Sequence, residues 1–121
     1  MGIPHWTEGR TKSFIISLIR RGFSRWPPKY ECLKNASVGK KLNTKTGRIG
    51  EHKRCAHCLG EYPAKEIQAD HIQPVVDPST GFVDWNTFIE RIAVGIEGYQ
   101  ALCLGCHKIK TDAEKLLRKG K

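Results

Sequence analysis

Two short cysteine pairs, Cys55-x-x-Cys58 and Cys103-x-x-Cys106, constrain this chain more than any other feature. Two thiolates three positions apart sit on one tight turn and chelate an ion together. Two such turns supply the tetrahedral four-sulfur set that Zn²⁺ favours. Residues 59–102 lie between the pairs, far more than a simple finger holds, so a subdomain must fold between the knuckles. In an intracellular chain, paired C-x-x-C turns point to zinc rather than to disulfides. Two redox motifs are the rival reading, but neither pair lies in a strand-to-helix redox context. The fifth cysteine, Cys32, stands alone and is expected to be a small buried hydrophobe.

A structural metal suits the size of the chain. At 121 residues and 39% hydrophobic content it holds one compact domain with a modest core. The longest apolar stretch, Phe14-Ile15-Ile16, is broken by Ser17 and soon met by Arg20-Arg21, so no membrane span or membrane partner is expected. The stretch from Met1 to Trp6 lacks the charged start and apolar run of a secretory signal. Trp6 stands where a myristoylation signal wants Ser or Thr. The expected location is therefore intracellular.

The formal net charge of +9 is concentrated in one half. Residues 1–60 carry 13 Lys/Arg against 3 Asp/Glu, whereas residues 61–121 carry 8 against 9. Such asymmetry suggests that the first half grips a polyanion, with a merely solvated surface as the plain alternative. Arg20, Arg21, Arg25, Lys40, Lys41 and Arg48 are the candidates for sequence-tolerant grip on such a polyanion's backbone.

Helical spacing over Thr11–Phe23 predicts a helix buried through Phe14/Ile15, Leu18/Ile19 and Gly22/Phe23. Trp26-Pro27-Pro28 ends it, and a second short helix is predicted over Lys29–Ser37. Residues 39–54, with three glycines and six Lys/Arg, read as a mobile basic linker. Alternation over Glu66–Ile72 predicts a strand with Ile67, Ala69 and His71 on one side. Asp84 is placed to cap a helix over about Trp85–Val94, facing inward through Trp85, Phe88/Ile89 and Ile92. A short strand over Tyr99–Leu102 and a closing helix over Gly105–Lys119 complete an α+β chain. The division expected is a basic helical region at 1–52 and a zinc-knuckle domain at 53–121.

Between and beside the knuckles lie Ala69-Asp70-His71-Ile72-x-Pro74 and Leu102-Cys103-x-x-Cys106-His107-x-x-Lys110-Thr111. With Cys55-x-x-Cys58, in that order, they resemble the zinc-knuckle branch of the HNH (His-metal finger) endonucleases. The likeness covers about residues 53–112. The stretch Lys12-Ser13-Phe14 through Arg25-Trp26-Pro27-Pro28-Lys29-Tyr30 is also similar to the N-terminal region of HNH proteins common in bacteriophages. The resemblance implies a ββα-metal core, DNA as substrate and hydrolysis of its phosphodiester bonds with Mg²⁺ or Mn²⁺. It implies His71 as general base and Asp70 and His107 as ligands of the catalytic ion, apart from the structural zinc. Phage packaging, homing, host DNA breakdown and restriction are the biological roles consistent with such a chain.

The residue types suit that chemistry on their own account. Phosphodiester hydrolysis needs an activated water and neutralised phosphate charge. An imidazole titrating near neutrality can remove a proton, and a carboxylate with an imidazole can ligate a first-row or alkaline-earth ion. Adjacent strand residues point to opposite faces, so Asp70 and His71 can divide the work. The chain departs from the family where an Asn usually stands five residues before the second knuckle, which here is Gly98. In the family this Asn braces the loop carrying the base; Glu97, Tyr99, Gln100 and Asn86 are the alternatives. Lys108 and Lys110 read either as the polar face of the last helix or as phosphate contacts. His57 is expected on an exposed turn, His5 and His52 in solvent, and Trp26, Trp85 and Tyr99 in the core. A zinc-dependent nucleic-acid-binding module with lost catalysis and an HNH-type ribonuclease are the competing functions.

Overall fold

The computed structural model describes residues 3–120, leaving Met1 and Gly2 of the N-terminal stretch and Lys121 outside. Helix α1 (Glu8–Phe23) starts one turn earlier than periodicity predicts, because Thr7 Oγ1 accepts from the Arg10 N–H at 3.1 Å and caps it. Its inward stripe is Ile16, Ile19 and Phe23, packed on buried Val75, Phe88 and Ile92. Phe14 and Leu18, expected inside, are exposed; Phe14 instead meets Trp6 edge-on at 5.7 Å. Helix α2 (Pro27–Asn35) begins on the proline pair rather than after it. First-turn positions need no N–H donor, so proline fits there.

Residues 39–54 are not a linker. Most of them form an antiparallel hairpin of β1 (Ser37–Asn43) and β2 (Arg48–Arg54). The glycines that suggested mobility serve the turn and a bulge: Gly47 has φ +74° and Gly39 φ +95°. The register shifts between Ser37 and Gly39, and the Gly47 N–H closes the turn on Asn43 O at 2.8 Å. Strand β2 also pairs with β3 (Glu61–Pro63), so it is the central strand of a three-stranded sheet and ends beside Cys55. It runs across position 52/53, where the sequence suggested a division. Its central place explains why His52, expected in solvent, is buried at 6% exposure, with Nδ1 3.0 Å from Gly50 O. Lys53 is buried beside it and donates to Leu33 O at 2.8 Å, serving the carboxyl end of α2.

A second, two-stranded sheet pairs β4 (Ile67–His71) with β5 (Tyr99–Cys103). Asp70 lies opposite Gln100 and His71 opposite Tyr99. Between these strands comes α3 (Trp85–Ile92), capped by Asp84, whose carboxylate accepts from the Thr87 N–H at 2.7 Å. Phe88 and Ile92 are buried as expected, whereas Ile89 is exposed. The closing helix α4 (Leu104–Lys119) follows β5 without a loop. Two apolar clusters result. One, around Cys55, Ile67, Leu102 and Cys103, receives Cys32 and Leu33 from α2 and Ala36 just beyond it; the other is the α1–α3 layer. The architecture is α+β, and among the described residues no helix is long and apolar enough to cross a membrane.

Candidate active site and metal centre

The four paired cysteines converge. The first turn closes through the Cys55 N–H on Gly60 O (2.9 Å) and the Leu59 N–H on Cys55 O (3.0 Å), with Leu59 left-handed at φ +63°. The Ala56 N–H donates to Ala101 O at 2.8 Å and fastens this turn to β5. Cys103 ends β5 and is the N-cap of α4, its sulfur accepting from the Cys106 N–H at 3.4 Å. The second pair does therefore stand at a strand-to-helix junction, contrary to the sequence reading; its convergence with the first pair is what marks it as metal-binding. All four sulfurs lie within 4.8 Å of one another, and Cys58 Sγ is 4.0 Å from Cys103 Sγ. A zinc ion with Zn–S bonds of about 2.3 Å spaces its sulfurs about 3.8 Å apart, so the set fits that ion. Burial raises the Cys55 thiol, but backbone hydrogen bonds at Cys103, Cys58 and His57 outweigh it and bring it down to about 6. Cys106 is pushed the other way, to about 12, by burial and by its sulfur neighbours. Four thiolates cannot share this space without a cation. Tyr62, which sequence reading missed, places its hydroxyl 3.3 Å from Cys58 Sγ. His57 is exposed on the turn, as expected.

Beyond the sulfurs, the same strands and helix assemble a polar cluster. Asp70 Oδ1 lies 3.7 Å from His107 Nε2, joining β4 to the first turns of α4. Ligands about 2.1 Å from one octahedral ion lie roughly 3–4 Å apart, so these two groups fit a shared divalent ion. The other carboxylate oxygen, Oδ2, accepts from Gln100 Nε2 and Lys110 Nζ, both at 3.1 Å. Lys110 also donates to His71 O (3.0 Å) and Glu114 Oε2 (2.8 Å). Burial pulls the Lys110 ammonium down, but Glu114 and Asp70 together raise it. Glu114 was not foreseen, although it stands four residues beyond Lys110, the spacing at which helical ion pairs form.

His71 faces the opposite side of the sheet from Asp70. Its Nε2 is 3.1 Å from Ile92 O, and its ring leans on Tyr99 with centroids 4.5 Å apart. A carbonyl only accepts, so the neutral ring carries its proton on Nε2 and leaves the Nδ1 lone pair available. Burial lowers the imidazole below its ordinary value, with Arg20 and Lys110 adding to the effect; the Ile92 carbonyl and Asp70 oppose it.

The loop after His71 is braced without an asparagine side chain. The Ile72 N–H donates to Gly98 O at 3.0 Å. Tyr99 and Gln100 flank the site through His71 and Asp70 respectively, whereas Glu97 and Asn86 are exposed. Gly98 has no positive φ; a Cβ there would lie 2.5 Å from Val94 Cβ. The position is glycine because Val94 fills the space.

The expected DNA-gripping residues divide. Arg20, Arg21, Arg25, Lys40 and Arg48 are exposed. Lys41 pairs with Glu61, Lys108 with Asp112 at 2.7 Å, and Lys110 with Asp70 and Glu114. Only the first five lie outside the ion pairs of the described residues. Compared with known proteins, the chain matches no family model, no curated protein and no solved structure.

Proposed function

We propose that the chain is a divalent-metal-dependent DNA endonuclease of the HNH type, with a ββα-metal core formed by β4, β5 and α4 and a structural zinc. One observation carries this reading. Asp70 and His107 converge to 3.7 Å on one face of β4, while the adjacent His71 is oriented on the other with Nδ1 free. Asp70 and His107 would hold Mg²⁺ or Mn²⁺, which supplies charge neutralisation at the phosphate and at the departing oxygen. His71 takes a proton from the attacking water at Nδ1. Its Nε2–H bond to the Ile92 carbonyl fixes the tautomer, and burial keeps the resting ring neutral. Gln100 orients the Asp70 carboxylate.

The reading is tested by nicking of supercoiled plasmid with Mg²⁺ or Mn²⁺, using zinc-loaded protein. His71→Ala should lower turnover by about 10²–10⁴-fold, the usual worth of a general base. Asp70→Ala should abolish metal-dependent cutting without loss of zinc.

A second reading has an observation behind it. Lys110 Nζ stands 3.1 Å from Asp70 Oδ2 and already compensates the carboxylate, which suits a nucleic-acid-binding module that no longer cuts. Wild-type protein that binds duplex DNA yet nicks it with neither metal would establish that alternative. Preferential cleavage of matched RNA would make the chain a ribonuclease.

A further inference from the structure

On the His71 side of the sheet lies a cleft of about 180 Å³. Its wall includes Arg20 and Ser24 at the end of α1, Lys29 in α2, and His71 with Tyr99 from the sheet. No carboxylate lines it among the described residues. Neither Arg20 nor Lys29 takes part in an ion pair of the described residues. Two cationic residues from different helices, neither in an ion pair, therefore line the same small space as one imidazole.

The corner that carries them is pinned to the core. Trp26 Nε1–H donates to Val94 O at 2.7 Å, just beyond α3, and Phe23 packs on Trp26 with centroids 5.1 Å apart. The Tyr30 hydroxyl donates to Ser24 O at 2.9 Å, closing α1 against α2. The Arg20 guanidinium lies 6.0 Å from the Phe88 ring centre, over the buried layer. The backbone that carries both side chains is thus fixed before a ligand arrives, which limits the reorganisation needed when one binds. On the other face of β4, by contrast, Lys110 is engaged by two carboxylates.

We infer that Arg20 and Lys29 form a phosphodiester subsite, holding the non-bridging oxygens of the phosphate that His71 serves. The inference rests on the nuclease reading for the role of His71, but the subsite itself is a binding claim. It separates neighbours in sequence: Arg20 belongs to the reacting phosphate, and Arg21, which does not line the cleft, to general grip.

The test uses the full zinc-loaded chain and two measurements. In the first, the His71 ring signals are followed by NMR as a DNA dinucleotide is added. A shift is expected in the wild type, lost in Arg20→Gln/Lys29→Gln and retained in Lys34→Gln, which removes an exposed charge on α2 outside the cleft. In the second, Arg20→Gln should lower kcat on plasmid by about 100-fold while KM changes little, the pattern for a contact made to the reacting group. A wild-type shift that survives in the double variant overturns the subsite, as does no shift at all. An equal shift with inorganic phosphate at the same concentration overturns the diester assignment. An Arg20-dependent shift in a protein that never cuts DNA keeps the subsite and removes the nuclease reading.

Discussion

The two clusters on β4, β5 and α4 differ in how their ligand atoms are held. The sulfurs come from backbone turns: Cys55 is completely buried, Cys103 caps a helix, and the set is complete at four. The Asp70 cluster instead reaches out on side chains from a strand and a helix, with His107 about one-third exposed and a lysine already beside the carboxylate. A complete, turn-bound set stabilises a fold. A partial set held on side chains, with an ammonium already beside the carboxylate, leaves the cluster open to exchange with solvent.

Damaging each cluster singly separates the two roles. Cys103→Ser should abolish zinc uptake and the cooperative melt together. Metal binding at such a site contributes on the order of 10 kcal/mol, similar to the whole stability of a domain. Asp70→Ala should keep both zinc and a cooperative melt. A Cys103→Ser protein that melts cooperatively without zinc would show that the knuckles are not what holds the sheet to α4.

Much of this division was legible in the sequence because it rests on short spacings. The knuckles, the Asp70-His71 pair and His107 each declare themselves within a few residues, and the topology then brings them together. Asp84 likewise announced α3 because a cap is local. The hairpin was not legible: its glycines and lysines resemble a linker, and what makes β2 a strand is its pairing with β1 on one side and β3 on the other. His52 went astray for the same reason, since its burial follows from that central place. The Arg20–Lys29 cleft had no local signal at all, because it exists only where α1 and α2 fold back over His71.

A second, smaller effect separates the two apolar clusters. Phe88 is 2% exposed and belongs to the cluster that packs on α1, not to the one around the cysteines. Phe88→Ala should cost about 3–5 kcal/mol in urea unfolding. Zinc content should stay at one ion per chain while the Arg20 side of the cleft loosens. Loss of zinc together with α1 would mean that the two layers fold as one unit.

Smaller again is the effect of restoring a side chain at Gly98. Its Cβ would meet Val94 Cβ at 2.5 Å and Cγ2 at 2.6 Å. Gly98→Ala should therefore destabilise by about 1–3 kcal/mol, as overpacking does. Gly98→Asn should not accelerate cleavage, because the Gly98 carbonyl already bonds the Ile72 N–H. Adding Val94→Gly, which removes the Cβ together with both methyl groups, should relieve the overpacking and recover part of the loss. If the double variant is no better than Gly98→Ala alone, the glycine serves some purpose other than making room for Val94.

The finest distinction lies inside the Asp70 cluster. Lys110 donates to Asp70, Glu114 and the His71 carbonyl, so its ammonium both organises the carboxylate and competes with any ion that Asp70 and His107 share. These two roles predict opposite signs. If competition dominates, Lys110→Met removes a positive charge and leaves Asp70 and Glu114 facing an incoming dication. Mn²⁺ affinity, read by electron paramagnetic resonance on zinc-loaded protein, should then rise on the order of tenfold at low salt. The gain should shrink as salt screens the charges, less than for exposed groups because Asp70 is only 11% exposed. If organisation dominates, the carboxylate turns away and Mn²⁺ binding weakens. We expect the rise, because Gln100 independently holds Asp70 Oδ2 at 3.1 Å and keeps the carboxylate aimed once the lysine is gone. Lys110→Met/Gln100→Ala should erase the gain, and a gain that persists in that double variant would remove Gln100 from the account.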